Sequence, residues 1–142
     1  MTRNAGDLSR FVRVVKLVRQ ETHSADLVAW LNHHHDEFPL ISSTLVEIEV
    51  PRALRRAAPQ ALAGVPTALA RLFRLELDAT VRATAAAYTD PLLRSLDAIH
   101  LATAQVLTNE SGTPLTAFVA YDHRLLAAAA AVGLPIISPG SP

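Results

Sequence analysis

Short apolar runs of strand length, separated by stretches with helical spacing, constrain this chain more than any other feature. Phe38 to Ile41, Leu115 to Tyr121 and Leu134 to Ser138 are such runs, and Arg74 to Leu77, closed by Asp78, could be a further strand. Between them lie segments with the period of a helix. Ser24 to Asn32 carries Leu27, Val28, Trp30 and Leu31 on one side, and Ser42, Ser43 or Thr44 can cap a helix bearing Leu45, Ile48 and Glu49. Pro51 either interrupts that helix or opens a second piece to Ala58, since proline suits a first turn. After a connection through Pro59, Gly64 and Pro66, helices are expected at Thr67 to Leu72, Ala79 to Tyr88, Asp97 to Leu107 and Asp122 to Val132. Short, largely apolar strands alternating with helices indicate a mostly parallel sheet covered on both sides. The fold class is α/β, and 142 residues fit one domain, 1–142.

With 50% of its residues hydrophobic and 18% charged, the chain has the material for a core, which excludes a disordered or collagen-like protein. Thirteen Lys plus Arg balance thirteen Asp plus Glu, so no global field points to nucleic acid or membrane. The cations are almost all arginine, Lys16 being the single lysine. The absence of cysteine excludes disulfide and thiolate chemistry and agrees with the cytoplasm, where we expect the protein. The nearly apolar stretch from Leu125 to Ile137 is too short to cross a bilayer.

One segment fits the alternation badly. Asp7 to Val18 has the spacing of an amphipathic helix, with Phe11, Val14, Val15 and Val18 on one side, where a domain of this kind would begin with a strand. Residues 1–14 are therefore expected to be atypical.

Three carboxylates are placed where chemistry happens in an open parallel sheet, beyond the carboxyl ends of strands. Asp122 follows the run ending at Tyr121, Asp97 opens a helix carrying Ile99, His100 and Leu101, and Glu49 lies one turn past Leu45. Clustered carboxylates repel one another unless a cation holds them, and Mg²⁺ prefers oxygen ligands with retained water. Each also has a structural reading: Asp is a favoured helix cap, and Glu49 suits a solvated helix face. His33, His34 and His35 do not share one helical face and suit a solvated helix end, while His100 suits a satisfied buried position and Trp30 the core.

The stretch Leu92-Leu93-Arg94-Ser95-Leu96-Asp97-Ala98-Ile99-His100-Leu101-Ala102-Thr103-Ala104 resembles the LRSLDAIHLATA signature of VapC-type toxins, which are PIN-domain ribonucleases. Phe118 to Leu125 resembles that family's FVTYDRRL segment, Ile41 to Glu49 its strand-to-helix segment, and Gly133 to Pro139 its end. The resemblance covers about Val15 to Pro139. It implies a PIN-like three-layer α/β/α fold with a five-stranded sheet and a metal-dependent endoribonuclease. Such an enzyme is the toxin half of a type II toxin–antitoxin pair, usually a homodimer masked by a VapB-type antitoxin. By position, Asp97 and Asp122 would hold Mg²⁺ or Mn²⁺, and Glu49 would support the ion's hydration shell and orient the attacking water. Arg52, Arg55, Arg56 and Arg94 are candidates for RNA phosphates, though a solvated helix face is the simpler reading of each.

Two departures qualify the resemblance. Ala120 stands where the family carries Thr or Ser, removing a hydroxyl near the metal. More seriously, the family begins with a strand and turn resembling IYLDSSALVKL, whose aspartate is a principal ligand. Val15-Lys16-Leu17 matches the family's residues just past that turn, and counting back puts Arg10 at the aspartate position. A one-base shift of reading frame upstream of Val15 accounts for this. Codons for Gly6 to Lys16 exist that read one base later as Ile-Tyr-Leu-Asp-Ser-Ser-Ala-Leu. On this reading the chain as written lacks both the aspartate and the central strand, leaving neighbouring strands unpaired. The competing function is then a catalytically inactive remnant that only binds antitoxin or dimerises. Another carboxylate-dependent phosphohydrolase would need an N-terminal strand ending in a nucleophilic aspartate, which the sequence does not offer.

Overall fold

The computed structural model describes residues 12–15, 40–112, 115–120 and 122–137. Its strands are β1 (Val12–Val15), β2 (Leu40–Ser43), β3 (Phe73–Leu75), β4 (Leu115–Val119) and β5 (Ile136–Ile137). The helices are α1 (Val46–Ala57), α2 (Val65–Ala70), α3 (Ala79–Ala87), α4 (Ser95–Ser111) and α5 (His123–Ala131), with a 3₁₀ segment at Pro59–Gly64. All the strand pairings are parallel, and the order across the sheet is β3-β2-β1-β4-β5.

Successive side chains of a strand leave opposite faces of the sheet, and the core divides accordingly. Leu40 and Val119 pack with Val46, Val50 and Leu54 of α1 and Val65, Ala68 and Leu69 of α2. Their neighbours Ile41 and Phe118 face the other way, against Leu101 and Ala104 of α4 and Leu125, Leu126 and Ala129 of α5. Helices thus cover both faces, as the alternation of the sequence requires. A smaller cluster of Val81, Ala102 and Val106 ties α3 to α4. No helix among the described residues is long and apolar enough to cross a membrane.

The expected helix over Asp7 to Val18 is overturned at Val12–Val15, the part of it that lies within the described residues. Val12–Val15 forms β1 at the centre of the sheet, paired with β2 on one side and β4 on the other. Helical spacing in this segment is outweighed by two facts: three of the four residues are β-branched valine, and a central slot offers two ladders of hydrogen bonds. The expected loss of the central strand is overturned with it.

Other corrections are local. Pro51 neither interrupts nor starts a helix but lies inside α1, held there by the buried Val50 and Leu54 on either side. The connection after Pro59 is a 3₁₀ segment. The expectations for Ser24 to Asn32, including Trp30, and for His33 to His35 lie outside the described residues, as does Arg10.

Candidate active site

The chain runs β1, β2, β3 toward one edge of the sheet and returns to place β4 and β5 on the other side. The switch in strand order therefore falls between β1 and β4, where Val15 pairs with Val119 at their carboxyl ends. In open parallel sheets this crevice is where ligands bind. An open cleft of about 330 Å³ lies beside the carboxyl end of β4, lined by Leu92, Arg94, Asp97, Asp122, His123 and Arg124.

Asp97 comes to the cleft from the first turn of α4 and is only 3% exposed. The helix cap is Arg94, so Asp97 is not the cap that its structural reading made it but a carboxylate of the first turn. Asp122 is the cap of α5, and its Oδ1 accepts the backbone N–H of Arg124 at 2.8 Å and of Leu125 at 3.1 Å. For Asp122 the structural reading and the site reading therefore coexist. Two helix N-termini, each carrying a carboxylate, are brought to one cleft by the β4 crossover.

Glu49 is placed differently. It does not line this cleft; its Oε1 accepts a hydrogen bond from His100 Nε2 at 2.5 Å, with side chains 10% and 1% exposed respectively. The expected solvated Glu49 is thereby corrected: burial against His100 holds it in the interior between α1 and α4. His100 lies one turn beyond Asp97 on α4, about 4.5 Å further along the axis, so Glu49 is tied to the same helix that presents Asp97. The expected satisfied histidine holds at Nε2 only, because the buried Nδ1 has no hydrogen-bond partner among the described residues.

Sequence reasoning missed the Glu49–His100 contact and the cleft positions of Leu92, His123 and Arg124. A signal for the contact existed: a glutamate amid buried helix positions needs a polar partner, and His100 shares a helix face with Asp97. Of the four arginines considered for RNA, Arg94 lines the carboxylate cleft, whereas Arg52, Arg55 and Arg56 line a separate shallow depression on α1.

The donor set is two carboxylates with two arginines beside them. Among the described residues no three His, Asp or Glu side chains are grouped to cage a metal. β1, at the centre of the crevice, reads Val-Arg-Val-Val and contributes no carboxylate. Arg10, which the resemblance puts at the family's aspartate position, lies outside the described residues.

Comparison with known proteins gives a consistent picture. The PIN domain family matches residues 11–131. Ribonuclease VapC35 of Mycobacterium tuberculosis is 53% identical over 127 residues, which cover 89% of this chain and 92% of the relative. Ribonuclease VapC46 of the same organism is 39% identical over 126 residues, 89% of this chain and 92% of that one. Ribonuclease VapC47 is 36% identical over 130 residues, covering 90% and 93%. No solved structure matches.

Proposed function

Because this chain belongs to the PIN-domain family, in its VapC branch, we propose that it is a Mg²⁺-dependent endoribonuclease. It is the toxin of a type II toxin–antitoxin pair and cleaves RNA phosphodiester bonds in the cytoplasm. The observation that carries this reading is that Asp97 and Asp122, from two different helices, line one cleft at the switch point of the sheet.

The residues present fit such an ion. Mg²⁺ keeps much of its water and is commonly bound by one or two carboxylates, and two is what the cleft offers. Asp97 and Asp122 would hold it, with Mn²⁺ as a substitute. When bound, a divalent ion lowers the pKa of water and neutralises charge developing on phosphate. Arg94 and Arg124, at the edge of the cleft, meet phosphate oxygens and orient the RNA. Glu49, tied to α4 through His100, would support the ion's hydration shell and help orient the attacking water from beside the cleft. The partners are the RNA, a VapB-type antitoxin and a second copy of the chain in a homodimer. The whole chain is one PIN domain of three layers around a five-stranded sheet.

A second reading is favoured by one observation, the absence of a carboxylate on β1. On that reading the chain is an inactive remnant that only binds antitoxin or dimerises, because a crevice whose central strand brings no carboxylate holds a divalent ion feebly. Calorimetric titration with Mg²⁺, paired with RNA cleavage in the presence and absence of chelator, separates the two. The nuclease binds the ion, cuts, and stops cutting when chelator is added. Feeble binding with no chelator-sensitive cleavage identifies the remnant.

A further inference from the structure

Among the described residues, the contact between His100 and Glu49 is a buried polar pairing to which the ribonuclease reading assigns no purpose. His100 is 1% exposed and Glu49 10%, and they belong to different helices on opposite faces of the sheet crevice. Burying a carboxylate costs several kcal/mol unless it is hydrogen-bonded, and an apolar residue at position 100 would pack as well as its neighbours Leu101 and Ala102. The ring also leaves Nδ1 buried without a partner among the described residues. A side chain selected for packing alone would not carry that orphan. The contact thus holds one oxygen of Glu49 at 2.5 Å from a ring fixed on α4, one turn from Asp97.

We propose that His100 is a positioning residue: it donates from Nε2 to Glu49 and fixes that carboxylate relative to Asp97, acting on the reaction only through Glu49. With the proton on Nε2, the buried Nδ1 carries a lone pair, which is the cheaper group to leave unpartnered than an N–H. A partner that orients a site carboxylate is commonly worth ~10–100-fold in activity, so loss of His100 should lower kcat by about that factor with KM nearly unchanged. This inference rests on the ribonuclease reading.

Its test has two arms. Nitrogen-15 NMR on the full chain, with His100 identified by the signal lost in His100→Gln, reads the tautomer without any need for activity. The expected result is protonation at Nε2, with ring shifts that move in Glu49→Gln. The second arm compares His100→Gln, whose amide nitrogen reaches where Nε2 was, with His100→Asn, whose shorter side chain matches Nδ1 instead. His100→Gln should retain most of the cleavage and His100→Asn should lose it, at similar melting temperatures. The double variant His100→Asn with Glu49→Gln should be no slower than Glu49→Gln alone. A proton on Nδ1, full activity in His100→Asn, or additive losses in the double variant would each overturn the proposal. A wild-type chain that cuts no RNA overturns the ribonuclease reading and the positioning role with it, while the nitrogen shifts still decide whether the contact exists.

Discussion

Asp122 both caps α5 and lines the carboxylate cleft, so its two roles can be separated by two substitutions. Asp122→Asn keeps a side-chain oxygen that can accept the N–H groups of Arg124 and Leu125, which now end on Oδ1 at 2.8 and 3.1 Å. Asparagine caps about as well as aspartate. It loses the charge, and with it ~0.3–1 kcal/mol of attraction to the helix N-terminus. In chelator this is opposed by the relief of repulsion toward Asp97. The net change should therefore stay within ~0.5 kcal/mol by these offsetting effects. Asp122→Ala also loses the two hydrogen bonds, so it should cost ~1–2 kcal/mol and lower the melting temperature by ~3–8 °C. Cleavage should be abolished in both. Urea unfolding in chelator and RNA cleavage in Mg²⁺ are the assays. If Asp122→Ala is as stable as the parent, the cap argument fails; if Asp122→Asn cuts at the parental rate, the carboxylate is not part of the site.

The fold sets three further outcomes. Phe118 is fully buried between Ile41 and Leu101, so Phe118→Ala should cost ~3–5 kcal/mol in urea unfolding; a loss below ~1 kcal/mol would mean that this face of the sheet is not packed as described. Gly112 ends α4 at φ +66° with open space where a Cβ would go, so Gly112→Ala should cost ~1–2 kcal/mol in urea unfolding through backbone strain alone. Tyr88 donates to Gln105, and burial pushes its pKa from 10.0 up to about 12. Its folded pKa is raised above the unfolded one, so the stability it contributes is present below pH 10 and lost as pH rises through about 12. Tyr88→Phe should flatten that loss in alkaline unfolding curves, and an unchanged slope would contradict it.

The α/β class was legible because largely apolar runs of strand length around Ile41 and Phe118 alternate with helical spacing, the pattern of a sheet covered on both faces. Asp97 and Asp122 were legible because each stands at the start of a helix directly after a turn or strand. What misled was the segment around Val12–Val15. Four residues carry too little pattern to tell a buried strand from a helix turn, and the central slot between β2 and β4 decides the matter only in three dimensions. The partner of Glu49 was illegible for a similar reason: His100 is 51 residues away in sequence, and the two meet only because α1 and α4 reach the same end of the sheet. Pro51 inside α1 shows tertiary packing outweighing a local signal, since Val46, Val50 and Leu54 bury one continuous face across it.

The central claim is that the Asp97–Asp122 cleft cleaves RNA with a divalent ion although β1 brings no carboxylate. The direct measurement is RNA cleavage in Mg²⁺ and in chelator by the parent chain, by Asp97→Asn and by a chain in which Ile-Tyr-Leu-Asp-Ser-Ser-Ala-Leu replaces the residues before Val15. Metal-dependent cleavage is expected from the parent, none from Asp97→Asn, and faster cleavage from the chain with the restored start. No cleavage by the parent with cleavage by the restored chain would make the chain as written a disabled toxin. Undiminished cleavage by Asp97→Asn would place the chemistry elsewhere in the molecule.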